Sequence, residues 1–156
     1  MKFSTHFFAK DTAMTLTPLQ KIALGISGVT AFGIGTFILA APHSFYESYG
    51  ISLGSDPNLL SELRAPGAGL AAFGIVMLAG LVRQASSYAS MVAALTVFLA
   101  FPAGRIVGLI ADGMPSPGII AALVLELAIA MLCLVAFRPG ARPAASERKG
   151  TRITAH

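Results

Sequence analysis

The chain has 156 residues, 55% of them hydrophobic and only 12% charged, about half the charged share of an ordinary soluble domain. That balance, with a mean hydropathy of +0.76, excludes a large soluble domain and leaves one compact membrane domain as the natural reading. The net charge of +4 falls at the flanks of apolar runs, which makes it a topology signal rather than a nucleic-acid surface.

Residues 1–16 read as a polar N-terminal arm carrying Lys2 and Lys10. Met14-Thr-Leu-Thr-Pro opens directly into a helix start, so Met14 is a candidate initiator and residues 1–13 a candidate extension. The first apolar run, Ile22 to Ala41, is uncharged. It exceeds the h-region of a secretory signal and precedes no small-residue cleavage site, so it reads as a retained span. After it, Pro42 and Gly50 bracket a stretch with Phe45, Tyr46 and Tyr49. Aromatic rings collect at the lipid–water boundary, which predicts a short interfacial helix. His43 in this stretch reads as a surface residue.

The second run, Ala65 to Val82, is uncharged but follows Glu62 and Arg64. The third, Met91 to Ile110, contains Arg105, and the fourth, Gly118 to Phe137, contains Glu126 and the single cysteine, Cys133. One thiol makes neither an intrachain disulfide nor a cysteine metal site, and Cys133 reads as a small buried hydrophobe. None of the four runs alternates with period 2, and a lipid-facing backbone must satisfy its own hydrogen bonds, so all four are predicted as helices. Thr17-Pro18, Asp56-Pro57 and Ser116-Pro117 repeat one start signal: a capping side chain, then a proline at a position whose N–H would be orphaned anyway. The third helix lacks that proline, and Ser86 or Ser87 is its expected cap.

The predicted fold is an all-α membrane protein, a four-helix antiparallel bundle with a short interfacial helix between helices 1 and 2. The membrane domain covers 17–138, with spans about 18–41, 57–83, 87–112 and 116–138. Lys21, Arg83 and Arg138 flank one end, while Glu47, Asp56 and Asp112 flank the other. Positive residues stay cytoplasmic, so both termini are expected inside. Residues 139–156, with Arg142, Arg148, Lys149 and Arg152, read as a basic, disordered cytoplasmic tail.

Intramembrane charges are costly and turn toward a bundle interior or a wet cavity. At 1.5 Å per residue, Arg105 lies about 10 Å below the outer end of its helix and Glu126 about 15 Å below. Side chains lean toward their own helix N-terminus. In antiparallel neighbours Arg105 and Glu126 therefore lean toward each other, which predicts an ion pair. Glu62 and Arg64, two residues apart, cannot face one another. They either snorkel to the headgroups or add to the Arg105 cluster. Pro66 and Pro102 lie inside helices 2 and 3 at similar depth and each free a carbonyl, which suggests a small polar cavity at the outer end. Gly104 and Gly108 form a G-x-x-x-G read chiefly as packing within the chain. His6, His43 and His156 all lie outside the spans, so no intramembrane histidine metal or haem site is expected. No cofactor, catalytic grouping or phosphate loop is expected either.

The stretches N-L-L-S-E-L-R-A-P-G-A-G (58–69), G-R-I-V-G-L-I-A-D-G-M-P-S-P (104–117) and L-E-L (125–127) resemble a bacterial family known as domain of unknown function 4345. Its members are small four-helix inner-membrane proteins. The resemblance covers roughly residues 18–138 and implies Glu62, Arg64, Pro66, Gly67, Arg105, Asp112, Gly113, Pro115 and Glu126 as signature positions. It implies a multi-pass inner-membrane location and no activity.

Three functions stay open on the sequence. The leading one is a non-enzymatic accessory or scaffold subunit that meets a membrane-protein partner or a second copy of itself. Another is a binder or carrier of a small amphipathic or anionic ligand in the outer-half cavity. The last is a membrane-embedded enzyme using Glu126 or Glu62. A sealed, fully paired cluster would favour the scaffold, whereas a pocket of roughly 300 Å³ or more reaching Arg105 would favour ligand binding.

Overall fold

The computed structural model describes residues 15–138. The expected tail and nearly all of the expected arm, with Met14, His6 and His156, lie outside the described residues. In chain order the helices are α1 (Pro18–Ala40), α2 (Pro42–Glu47), α3 (Pro57–Val82), α4 (Ser87–Asp112) and α5 (Pro117–Ala136), with one 3-10 turn at Gln84–Ser86 leading into α4. The protein is an all-α membrane bundle: α1, α3, α4 and α5 are each long and apolar enough to cross a bilayer, and no strand occurs among the described residues. The 20 residues of α5 span about 30 Å, the thickness of the hydrocarbon core. Large apolar side chains such as Val29, Ile75, Val107 and Val124 point out of the bundle, as a lipid solvent requires.

Local chemistry sets most helix starts. Thr17 closes a full capping box with Gln20: the Gln20 N–H donates to the Thr17 hydroxyl, and the Thr17 N–H to Gln20 Oε1. Asp56 accepts from the Asn58 N–H. The other two expected caps differ. Ser86 and Ser116 occupy N-cap positions, but neither side chain caps its helix. Ser116 spends its hydroxyl on the Tyr49 carbonyl at 2.9 Å, and the 3-10 turn takes over the approach to α4.

α1 and α3 pack closest, because glycines remove the side chains between them. A Cβ on Gly35 would lie 2.6 Å from the Gly67 carbonyl oxygen, and one on Gly74 would lie 2.7 Å from Phe32 Cα. Gly104 and Gly108 behave oppositely to expectation. A Cβ on Gly104 would meet nothing within 4 Å, and one on Gly108 only Asp112 of its own helix. Their face of α4 therefore looks out of the bundle instead of packing within the chain.

The core is asymmetric along the bundle axis. Toward the end where α1 begins and α5 stops, Leu24, Met77, Ala94 and Cys133 are fully buried. There Gln20 donates its amide to the Ala136 carbonyl at 3.2 Å, and Ser27 Oγ meets Cys133 Sγ at 3.2 Å. These contacts hold α1 against α5. Toward the α2 end, α4 has no buried residue beyond Pro102, and α5 has none before Glu126. The bundle is thus closed at one end and splayed at the other.

Candidate functional site

Arg105 comes from the last third of α4 and Glu126 from the middle of α5. The two helices are antiparallel neighbours, so their side chains converge. Arg105 Nε donates to Glu126 Oε1 at 3.0 Å and to Oε2 at 2.9 Å, forming the expected ion pair. The halves differ in exposure: the Glu126 side chain is 10% exposed and that of Arg105 30%. Both carboxylate oxygens are taken by the single Nε–H. The donors on Nη1 and Nη2 meet no protein acceptor among the described residues. They are not sealed in either, because no buried side-chain nitrogen or oxygen there lacks a partner.

The pair lines a cavity of about 400 Å³ between α1, α4 and α5, at the splayed end. Its walls are mainly apolar, with Ile34 and Ile38 from α1, Phe98 and Phe101 from α4 and Leu125 from α5, and Thr30, Tyr46 and Tyr49 add hydroxyl-bearing side chains. Small residues make the room, since Gly118, Ala121 and Ala122 line it where α5 would otherwise fill the bundle. Among the described residues Arg105 and Glu126 are its only charged lining.

α2 covers the cavity. Phe45 and Tyr46 of α2 and Tyr49 just after it turn toward the cavity. Phe45 is buried and packs edge-on against Phe37, Tyr46 and Tyr49, with ring centroids 5.2–5.5 Å apart, the preferred geometry for ring quadrupoles. Tyr49 rests on the start of α5, where a Cβ on Gly118 would lie 3.1 Å from its ring. Burial pushes the Tyr46 phenol up from its ordinary value, and the Arg105 charge partly offsets this. The Tyr46 hydroxyl therefore stays protonated at neutral pH.

The remaining expected positions separate from the pair. Glu62 and Arg64 are exposed near the start of α3 and do not line the cavity. Arg64 Nε donates to the Leu39 carbonyl at 3.2 Å, one of the orphan acceptors at the α1 C-terminus, where a cation also complements the helix dipole. Pro66 is exposed and not part of the cavity, whereas Pro102 is buried beside Phe98 and Phe101. Neither helix-interior proline lines the cavity, which takes Phe98, Phe101 and Arg105 from the same stretch of α4 instead. Asp112 ends α4 at the surface, and Gly113 continues with φ +93°. His43 is exposed, with Nε2 3.3 Å from the Gly54 carbonyl, beside a smaller surface hollow it shares with Glu47. The α2 ring cluster and the α5 alanines escaped the sequence reading. The legible signal was Gly118, Ala121 and Ala122 at i, i+3 and i+4, a notch in an otherwise bulky face.

No curated protein and no solved structure matches the chain. One family model does, over residues 19–137, a stretch that takes in every span, the paired charges and the whole cavity lining. The chain belongs to the family described as domain of unknown function (DUF4345).

Proposed function

We propose that this membrane protein binds a small amphipathic molecule in the cavity between α1, α4 and α5, without chemistry on it. One observation carries the reading: the Arg105–Glu126 pair lines a mainly apolar cavity of about 400 Å³ while the Arg105 Nη donors have no protein partner among the described residues. That volume falls within the usual range for ligand pockets, about 300–1,000 Å³, and the lining has the usual form of apolar walls around a few fixed polar groups. A scaffold that used the charges for packing alone would have closed this end as it closes the other. The enzyme reading has less support, because Arg105 engages both Glu126 oxygens and Glu62 lies away from the cavity.

We place the protein in the bacterial inner membrane with both termini cytoplasmic, so that the cavity lies toward the outer surface. Lys21, Arg83 and Arg138 support this orientation at one end, as Glu47, Asp56 and Asp112 do at the other.

Photolabelling tests the binding reading. The protein in lipid nanodiscs is irradiated with an alkyl amphiphile bearing a diazirine, and the labelled peptides are mapped. Saturable labelling of 118–126 and 30–38 that disappears in Ala122→Phe is expected. Labelling confined to outward-facing positions, unchanged by that substitution, refutes it.

A further inference from the structure

Resting on that binding reading, the geometry points to the ligand's head: we infer that the cavity reads an uncharged hydrogen-bond acceptor, the carbonyl of a ketone, ester or amide. Thr30, Tyr46 and Tyr49 bring neutral hydroxyls to the lining, and the strongest unpartnered groups there are the charged donors of Arg105. A guanidinium has N–H donors and no acceptor, and Nε is already committed to Glu126. The donors left over form the planar Nη fork. The acceptor half of the pair is the buried half, at 10% exposure against 30%. A head that accepts therefore meets charged donors, whereas a head that only donates meets neutral hydroxyls and a carboxylate already engaged by Arg105.

Charge balance then separates acceptors. Arg105 and Glu126 sum to zero, and no other charged side chain among the described residues lines the cavity. A carboxylate or phosphate at the fork would be attracted by the guanidinium, but Glu126 stands behind that same guanidinium. The result is a net negative site in a low-dielectric interior, where uncompensated charge is costly. A carbonyl collects charge-assisted hydrogen bonds from the fork and leaves the site neutral. The bond to Glu126 keeps the fork in place before a ligand arrives, so less ordering is needed on binding.

A competition series against the photolabel provides the test. The competitors have one chain length: an alkane, a methyl ketone, a methyl ester, a carboxylate and an ammonium. The ketone and ester are expected to compete at least about tenfold better than the alkane, as hydrogen bonds to a charged donor allow. Carboxylate and ammonium are expected to fall below the ketone at neutral pH. In Arg105→Lys the charge pairing survives but the planar fork does not, so the ketone's advantage should vanish while alkane competition is unchanged. A carboxylate that competes best, or a ketone no better than the alkane in the native protein, overturns the inference. If no competitor displaces the label, the binding reading itself fails. Repeating the series in ester-linked and ether-linked lipid identifies the source of the carbonyl. Weaker ketone competition in ester lipid points to a bilayer ester as occupant, and equal competition points to a free ligand.

Discussion

Arg105 survives in the bundle because Glu126 neutralises it, and the pair is asymmetric in a way that makes a prediction. Removing one partner of a buried pair leaves a charge without compensation. Glu126 is the more buried, so Arg105→Gln strands a carboxylate in the interior and should cost about 2–4 kcal/mol. Glu126→Gln leaves the arginine able to draw water from the cavity and should cost about 1 kcal/mol. Unfolding of the two variants in bicelles reads the difference, and equal losses would contradict the burial argument. Residues 105 and 126 were legible in the sequence because depth follows from rise and direction from helix polarity. Glu62 and Arg64 were not, because their placement depends on the rotation of α3 about its axis, which packing with α1 sets. The inward turn of Phe45, Tyr46 and Tyr49 was hidden for the same reason: the rotation of the short α2 is fixed by Phe37 and by the start of α5.

Among the helices, glycines in similar sequence settings do opposite things. Gly35 and Gly74 let the α1 and α3 backbones touch, whereas Gly33, Gly69 and Gly104 face open space. Gly35→Ala should therefore separate the two helices and cost about 1–3 kcal/mol through overpacking. Gly104→Ala should change stability by less than about 1 kcal/mol, the scale of helix propensity alone. Thermal unfolding of the purified variants compares them directly, and a loss at Gly104 as large as at Gly35 would show that its face is packed after all. Helix number, polarity and starts were readable, since the Thr-Pro, Asp-Pro and Ser-Pro signals coincide with apolar runs of spanning length. Which glycines pack was not readable: Gly104 and Gly108 form a G-x-x-x-G yet face outward, whereas Gly35 and Gly74, in no such motif, carry the close approach. Only the three-dimensional neighbours distinguish the two kinds.

The molecule as a whole joins a closed half to a splayed half, and its proposed orientation sets what the splayed half can meet. With the termini in the cytoplasm, the α2–α3 connection is extracytoplasmic. A Cys133→Ser chain bearing Ser52→Cys should then react with an impermeant maleimide on intact cells, and one bearing Gln84→Cys should not; the reverse pattern would invert the topology. Cavity formation was only partly legible. The paired charges marked its depth and the Gly118, Ala121 and Ala122 notch its α5 wall, but the α2 cover has no periodic signature. Native mass spectrometry of wild type and Ala122→Phe released from the same membranes reads occupancy of the cavity without a probe. A small amphipathic adduct is expected on the wild type and absent from the variant. Identical spectra for the two proteins would contradict the binding reading.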